Sequence, residues 1–573
     1  MLSLFYKKND NRELFKDIEL SDIKNTQSFI PIYNKYFSLS EQNYNKINLN
    51  HHYHIKNIKS IEGEKNKFNC IIESESQKKN SLSFFKFSPL LDPIRYMLGK
   101  YNTLTDEKQQ LLPKLKNNKC HSKLIDPNNS AYVDSFFSFL SSKLLHQHKI
   151  PHCIDFFGSF LGIKKNFSIN IFDDLDYLCE SNFFLTNSNT KFKITNLEGQ
   201  DFIQNLTKNN MKKIQILDNS MNLQVDKLEI NFDSLFLNSN NGKMGELELL
   251  DNSKNLIVNL DSINLVKHKS NSESSYCSSE SSHTSNEHSD SNESDDSNAS
   301  DSDTSYNSDS EDSDIEGTLE AVLYDFPVQI ICLECLDNTL DSHLNKTKQL
   351  TDNEWNSCLF QIIMTLIIYQ KTFNLTHNDL HTNNIMYKKT DKQFLYYKFD
   401  NIHYKVPTHG KIYKIIDFGR AIYKYKGQQI CSDSFHPKGD AATQYNCEPY
   451  FNEKKPRLGP NYSFDLCRLA CSLYDYFVDD EEENIENPIA KLIIKWCTDD
   501  KGRNILYKKH GEERYPEFKL YKMIARTVHK YTPQTQCKIS LFRKYITSRK
   551  QMNKRNLKSV INIDTLPSYT ESE

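Results

Sequence analysis

Three side chains in this sequence are of the types that hold divalent cations and take protons from hydroxyls: Asp379, Asn384 and Asp417. The first two belong to the phrase His377-Asn-Asp379-Leu-His381-Thr-Asn-Asn384. The third opens Asp417-Phe418-Gly419, thirty-three positions after Asn384. Such a set suits phosphoryl transfer, which asks a protein for positioning and charge neutralisation more than for covalent chemistry. Metal ions must be held against a triphosphate, and an acceptor hydroxyl must be aimed in line at the γ-phosphorus. On this reading Asp379 takes the hydroxyl proton, Asn384 holds one Mg²⁺, and Asp417 bridges Mg²⁺ to the phosphates. His377 opens the loop and is grouped with the catalytic residues.

The chain around these phrases supplies elements to carry them. Residues 385–387, 394–399, 402–406 and 411–416 read as short strands, so a small hairpin is expected between the two phrases. Upstream, Thr351-Asp-Asn-Glu354 is a capping box, in which hydroxyl and carboxylate satisfy each other's orphan backbone N–H groups. Trp355, Leu359, Ile362, Leu366, Tyr369 and Phe373 then recur at helical spacing as one apolar stripe that delivers the chain to His377. The richest part of that stripe, 362–369, is too short to span a bilayer.

The order and spacing resemble the protein-kinase signature H-R-D-L-x-x-x-N followed by D-F-G. The match is firm over 328–477 and extends more weakly back to residue 68. Within that superfamily it resembles serine/threonine kinases of giant DNA viruses. The resemblance implies an α+β, two-lobed protein-kinase-like fold, with a small β-rich N-lobe carrying a long low-complexity insertion and a larger helical C-lobe. Residues 1–50 would be an N-terminal extension, 51–335 the N-lobe with its insertion, 336–537 the C-lobe, and 538–573 a basic tail.

It also implies a strand lysine to grip the phosphates and an acid on a helix to hold that lysine. Residues 68–73 and 82–87 are strand-like, and Lys86 lies between aromatics in the second, where they would desolvate and position it. Asn128-Asn-Ser130 is a cap signal for a helix with Val133, Phe136, Phe137, Leu140 and Leu144 on one face. Asp134, near its start, is the partner expected for Lys86, where kinases usually carry Glu. Residues 154–162 fit the strand after that helix, and 328–335 the strand leading to the hinge. Backbone near Glu334 and Leu336 would meet the adenine edge of ATP. Asp465, in Ser463-Phe-Asp465-Leu-Cys-Arg468, matches the acid that braces the catalytic loop, with Ser463 as the cap.

Three departures stand out. Gly63 is the only glycine before Lys86, so no G-x-G-x-x-G covers the phosphates. His381 stands where protein kinases usually carry Lys, a substitution that haspin-like kinases and several small-molecule phosphotransferases tolerate. Cys447-Glu448-Pro449 is a loose echo of Ala-Pro-Glu. The expected cofactors are ATP and Mg²⁺, and the expected substrate is a protein hydroxyl. A pseudokinase scaffold and a small-molecule kinase of the aminoglycoside-phosphotransferase type are the alternatives.

Composition bounds the rest. The 573 residues suffice for a substantial core. Met1-Leu-Ser-Leu-Phe-Tyr-Lys-Lys has no signal-peptide pattern, no apolar run reaches membrane length, and fourteen scattered cysteines suit reduced thiols in an intracellular, reducing compartment, which the resemblance to viral kinases would make host cytoplasm or virion. Cys332-x-x-Cys335 has no second pair at zinc-finger spacing, and Cys467 and Cys471 read as core. The formal charge is −3, yet residues 270–316 hold 14 acids, 19 serines and no Lys or Arg, which leaves the remainder at +11. That stretch is expected to be a disordered loop and offers serines for autophosphorylation. The basic tail 538–558 is expected to be solvated, and nucleic acid is not expected as a partner.

Overall fold

The computed structural model describes residues 4–8, 11–19, 22–101, 111–116, 119–195, 319–344, 349–478, 485–552 and 554–572. The acidic stretch 270–316 lies outside them. The described residues form a mixed α+β structure in which a large sheet precedes a mainly helical part, consistent with two lobes.

Strands that alternate in burial (67–73, 82–87) and strands buried over long runs (156–163, 326–334) together build the sheet. Its strands are β1 (Ile23–Gln27), β2 (His54–Ser60), β3 (Lys67–Glu73), β4 (Lys78–Pro89), β5 (Phe156–Asn170), β6 (Phe192–Ile194) and β7 (Glu320–Glu334). The order is β1-β5-β7-β4-β3-β2, with β6 paired to β7, and every pairing is antiparallel. Helix α1 (Ser130–His148) packs on β5 and β7.

β4 is a central strand, in which Lys86 pairs with Ile331 of β7. Phe85 and Phe87 are buried on one face, so the period of two sends Lys86 to the other. The aromatics flanking Lys86 therefore do not desolvate it, contrary to the sequence expectation; carboxylates surround it instead.

The second part begins with β8 (Asn338–Thr339) and α2 (Asp352–Phe373). Then come β9 (Ile385–Lys389), β10 (Phe394–Phe399), β11 (Ile402–Pro407), β12 (Lys411–Ile415), β13 (Ile422–Tyr425) and β14 (Gln428–Cys431). Helices α3 (Phe464–Phe477), α4 (Pro488–Trp496) and α5 (Phe518–Thr527) complete the helical layer. Thr351 and Glu354 make the capping box of α2. The single stripe expected for α2 understates its burial, because nearly every side is covered, polar residues included. Gln361 illustrates how that is tolerated: its amide oxygen accepts from the Tyr413 N–H at 3.1 Å.

Residues 538–573 are not the solvated tail that their charge suggests. β15 (Ile546–Thr547) pairs with β11 and β16 (Ile561–Asn562) with β10, while Phe542 and Ile563 are buried. The apolar residues between the lysines decide this, since they find sheet edges and the aromatic ring of Phe360 to cover. Thirteen described cysteines are free thiols, Cys332, Cys467 and Cys471 among them in the core.

Glu334, at the end of β7, ties the large sheet to the β9–β12 pair. Its carboxylate accepts from Lys388 Nζ at 2.7 Å, from Lys414 Nζ, and from the Asp155 N–H at 2.9 Å. Burial pushes this carboxyl up, but Lys414 and Lys388 outweigh burial and hold it below its ordinary value. Glu334→Gln is expected to cost about 3 kcal/mol in urea unfolding, because buried Lys414 would lose its counter-ion. A depressed carboxyl stabilises above its unfolded pKa and loses that contribution as pH falls. The variant should therefore show a flatter acid limb of stability than the parent.

Candidate active site

Strand pairing brings the two distant phrases side by side. β9 and β12 are antiparallel with Ile385 opposite Ile415, so Asn384 and Asp417 leave the same end of the pair. The Ile416 N–H donates to the Asn384 carbonyl at 3.0 Å and closes the two loops together.

The loop after α2 is held from inside. The His377 Nε2–H donates to the Ile416 carbonyl at 2.9 Å, which leaves Nδ1 to accept from the Asp379 N–H at 3.3 Å. Asp465, on the first turn of α3, is buried and accepts from the His377 and Asn378 N–H groups, each at 2.9 Å. Burial raises this carboxyl despite the His377 ring and the two N–H groups. Asn378 has φ of 64°, a left-handed conformation that Asn tolerates better than most residues. Ser463 occupies the N-cap position of α3 but its hydroxyl makes no capping bond. Asn461 instead accepts from the Ser463 N–H at 2.9 Å, a correction to the expected cap.

Asn384 spends its amide N–H₂ on the Asp379 carbonyl at 2.9 Å and His381 Nε2 at 3.0 Å. That leaves its Oδ1 as the atom suited to a hard cation. Asp379 is partly exposed, and its Oδ1 accepts from the Tyr521 hydroxyl at 2.9 Å. Burial would raise the Asp379 carboxyl, but Arg420, His381, Arg468 and His377 together outweigh it and hold the group far below the usual range. It is a carboxylate at any physiological pH.

Lys86 sits between two acids. Its Nζ is 2.8 Å from Asp134 Oδ2 on α1 and 2.8 Å from Asp417 Oδ1. Lys86 keeps Asp417 ionised and low, whereas burial and the Asp417 charge push Asp134 up. Asp134 Oδ1 also accepts from the Phe418 N–H at 2.8 Å, so the shorter Asp reaches both Lys86 and the loop that follows Asp417. The Phe418 ring fills the space among Phe137, Tyr369 and His377, at centroid distances of 4.4, 6.0 and 5.3 Å. Asp417 itself has φ of 63°.

The start of α1 is fastened to the segment beyond the Asp417 loop. Asn129 caps the helix through the Ala131 N–H at 3.1 Å, and Asp433 Oδ1 accepts from the Ser130 N–H at 3.0 Å while Lys123 pairs with the same carboxylate. A cavity of about 190 Å³ opens here, lined by Lys86, Asp134, Asp417, Gly419 and Arg420 among others.

Glu334 and Leu336 run along the connection from β7 to β8. The Glu334 side chain is consumed by its lysines, and Leu336 is buried. The turn at 61–66 is joined to the strand that carries Lys86, where the Phe85 N–H donates to the Asn66 carbonyl at 2.8 Å. Its one glycine, Gly63, has φ of 80° and open space where a Cβ would stand. Among the described residues no group of three or more His, Cys, Asp or Glu side chains is arranged as a metal site. A two-residue set of Asn384 and Asp417 suits Mg²⁺, which keeps waters and phosphate oxygens as its other ligands.

Sequence reasoning missed Arg420, Arg468 and Tyr521. Arg468 had a usable signal, because it lies three residues after Asp465 and so on the same face of α3. Tyr521 had none. Among the described residues, no helix is long and apolar enough to cross a membrane.

Comparison with known proteins gives short, local likenesses. No protein-family model matches the chain. It is 25% identical over 214 residues to an uncharacterized protein of invertebrate iridescent virus 6, covering 36% of this chain and 33% of that one. It is 36% identical over 88 residues to a probable serine/threonine-protein kinase of Dictyostelium discoideum, covering 14% of this chain and 7% of the relative. It is 33% identical over 88 residues to the serine/threonine-protein kinase haspin of Mus musculus, covering 15% and 12%. The chain thus spans a third or less of each of these relatives, and its tie to serine/threonine kinases is a local sequence similarity.

Proposed function

We propose that this chain is an ATP- and Mg²⁺-dependent phosphotransferase acting on serine or threonine hydroxyls of proteins. The observation that carries the reading is Lys86 held between Asp134 and Asp417, on a loop hydrogen-bonded to the one that bears Asp379 and Asn384. Bound Mg²⁺-ATP would supply the transferable phosphoryl group and neutralise its charge. Asn384 Oδ1 and Asp417 would hold the metal, and Lys86 would meet the α- and β-phosphates. The backbone from Glu334 to Leu336 would face the adenine edge. Asp379, ionised and aimed by its loop, would accept the proton of the acceptor hydroxyl. Asp465 and His377 would keep the loop in shape. Residues 51–335 and 336–537 would then be the two lobes. Local similarity to two serine/threonine kinases supports the same reading.

The single-glycine turn at Gly63 favours a second reading, a scaffold that has lost nucleotide binding. A thermal-unfolding titration separates the two. With Mg²⁺-ATP at one hundred times its Kd, the native state should gain about 2.7 kcal/mol. Absence of any shift at millimolar nucleotide would leave the scaffold. Label transfer from γ-labelled ATP, assayed separately on protein and metabolite fractions, distinguishes a protein kinase from a small-molecule kinase.

A further inference from the structure

The Asp379 carboxylate is not merely near the α5 helix but is held by it. Arg468 Nε–H donates to the Tyr521 hydroxyl oxygen at 2.9 Å, and the Tyr521 hydroxyl donates to Asp379 Oδ1 at 2.9 Å. A guanidinium has only donors, so its N–H takes a lone pair of the phenol and leaves the phenolic proton for the carboxylate. The ring cannot easily move. Phe518 stacks on it at 5.3 Å, and the Arg468 and Arg420 guanidinium groups lie over it at 5.1 and 5.5 Å. Burial, the first influence on this phenol, pushes it up to about 12, so it stays a donor at neutral pH.

The surrounding charges give the arrangement a purpose. His381 stands where a lysine is usual beside the base. Its Nε2 accepts from the Asn384 amide, and a ring nitrogen that accepts carries no proton, so His381 does not bring a lysine's charge here. Arg468 and Arg420 supply that charge, with Arg420 itself tied to Asp440 at 2.5 Å. His377, Asp417 and Asp465 also act on Asp379 or its loop. The hydrogen bond to the Asp379 side chain ends on Oδ1.

We infer that Tyr521 is a positioning residue: anchored by Arg468, its hydroxyl fixes Asp379 Oδ1 so that Oδ2 faces the acceptor hydroxyl. This rests on the reading of Asp379 as the base.

The test uses Tyr521→Phe in the full chain, which deletes one oxygen and keeps the stacked ring. Label transfer from γ-labelled ATP to α-casein, and to the chain itself, should show kcat lowered about 10- to 30-fold, as expected for losing a hydrogen bond to a charged group. KM for ATP and for casein should stay within about twofold. A double-mutant cycle of Tyr521→Phe with Asp379→Ala, read by urea unfolding, should show coupling of about tenfold in the unfolding equilibrium constant. Turnover equal to or faster than the parent would overturn the proposal, the faster result meaning that the hydroxyl blocks the acceptor. Absent coupling would overturn it as well. Coupling in a parent chain that transfers no phosphate would reduce Tyr521 to a structural brace and would refute the proposed function separately.

Discussion

Asp379→Asn is expected to cut phosphate incorporation about 10²- to 10⁴-fold, the loss typical of a removed general base. The substitution is nearly isosteric. An asparagine Oδ1 still accepts from the Tyr521 hydroxyl, and the backbone N–H and C=O of residue 379 still meet His377 and Asn384. The loop should therefore keep its shape. Nucleotide stabilisation should also persist, because Lys86, Asn384 and Asp417 are untouched. Arg468 and Arg420 lose a counter-ion, so a small drop in melting temperature is expected, and far-UV circular dichroism should not change. The assay is label transfer at saturating Mg²⁺-ATP alongside thermal unfolding with and without nucleotide. A variant as active as the parent would remove Asp379 from the chemistry.

Lys86→Met should act on stability and on nucleotide binding together. Lys86 is the cation shared by Asp134 and Asp417, and both carboxylates are buried. Removing one partner of a buried ion pair costs about 3–5 kcal/mol, because the charge left behind is uncompensated. Two facing carboxylates without a cation cannot both stay ionised at low cost, so the pair should take up a proton. The sign of the pH dependence follows. In the parent, Asp417 is depressed and contributes stability above its unfolded pKa, which is lost as pH falls through the folded value. In the variant the pair would be raised, so its folded form is favoured at low pH and weakened as pH rises. Between about pH 8 and pH 5 the variant should gain stability relative to the parent. Urea unfolding across that range, with Mg²⁺-ATP titrations at pH 7.5, checks both halves. Unchanged ATP-induced stabilisation would exclude Lys86 from phosphate binding.

Much of the fold was legible because it is encoded over short spans. The Thr351–Glu354 cap satisfies backbone groups within one turn, and the strands at 68–73 and 82–87 show their burial in alternation. Alternation also carried an error. Phe85 and Phe87 looked like walls around Lys86, yet a strand sends neighbours to opposite faces. Ser463 misled in a similar way: residue type suited a cap, but its backbone is already helical, with φ of −86° and ψ of −16°, and its hydroxyl makes no capping bond. The packed strands within 546–562 were hidden because a strand pair of two residues has no periodicity to detect.

Local order and residue type, by themselves, determined the loops at 377–384 and 417–419 as short-range features and the helix between the cap and His377. Each depends on bonds spanning only a few positions. Tertiary structure alone decided what holds Asp379 and the start of α1: Tyr521 reaches Asp379 across 142 positions, and Asp433 reaches the first turn of α1 across 303. No spacing rule links such pairs. They meet only because helices and strands with buried faces have one dense way to pack, and side chains that share no pattern end as neighbours.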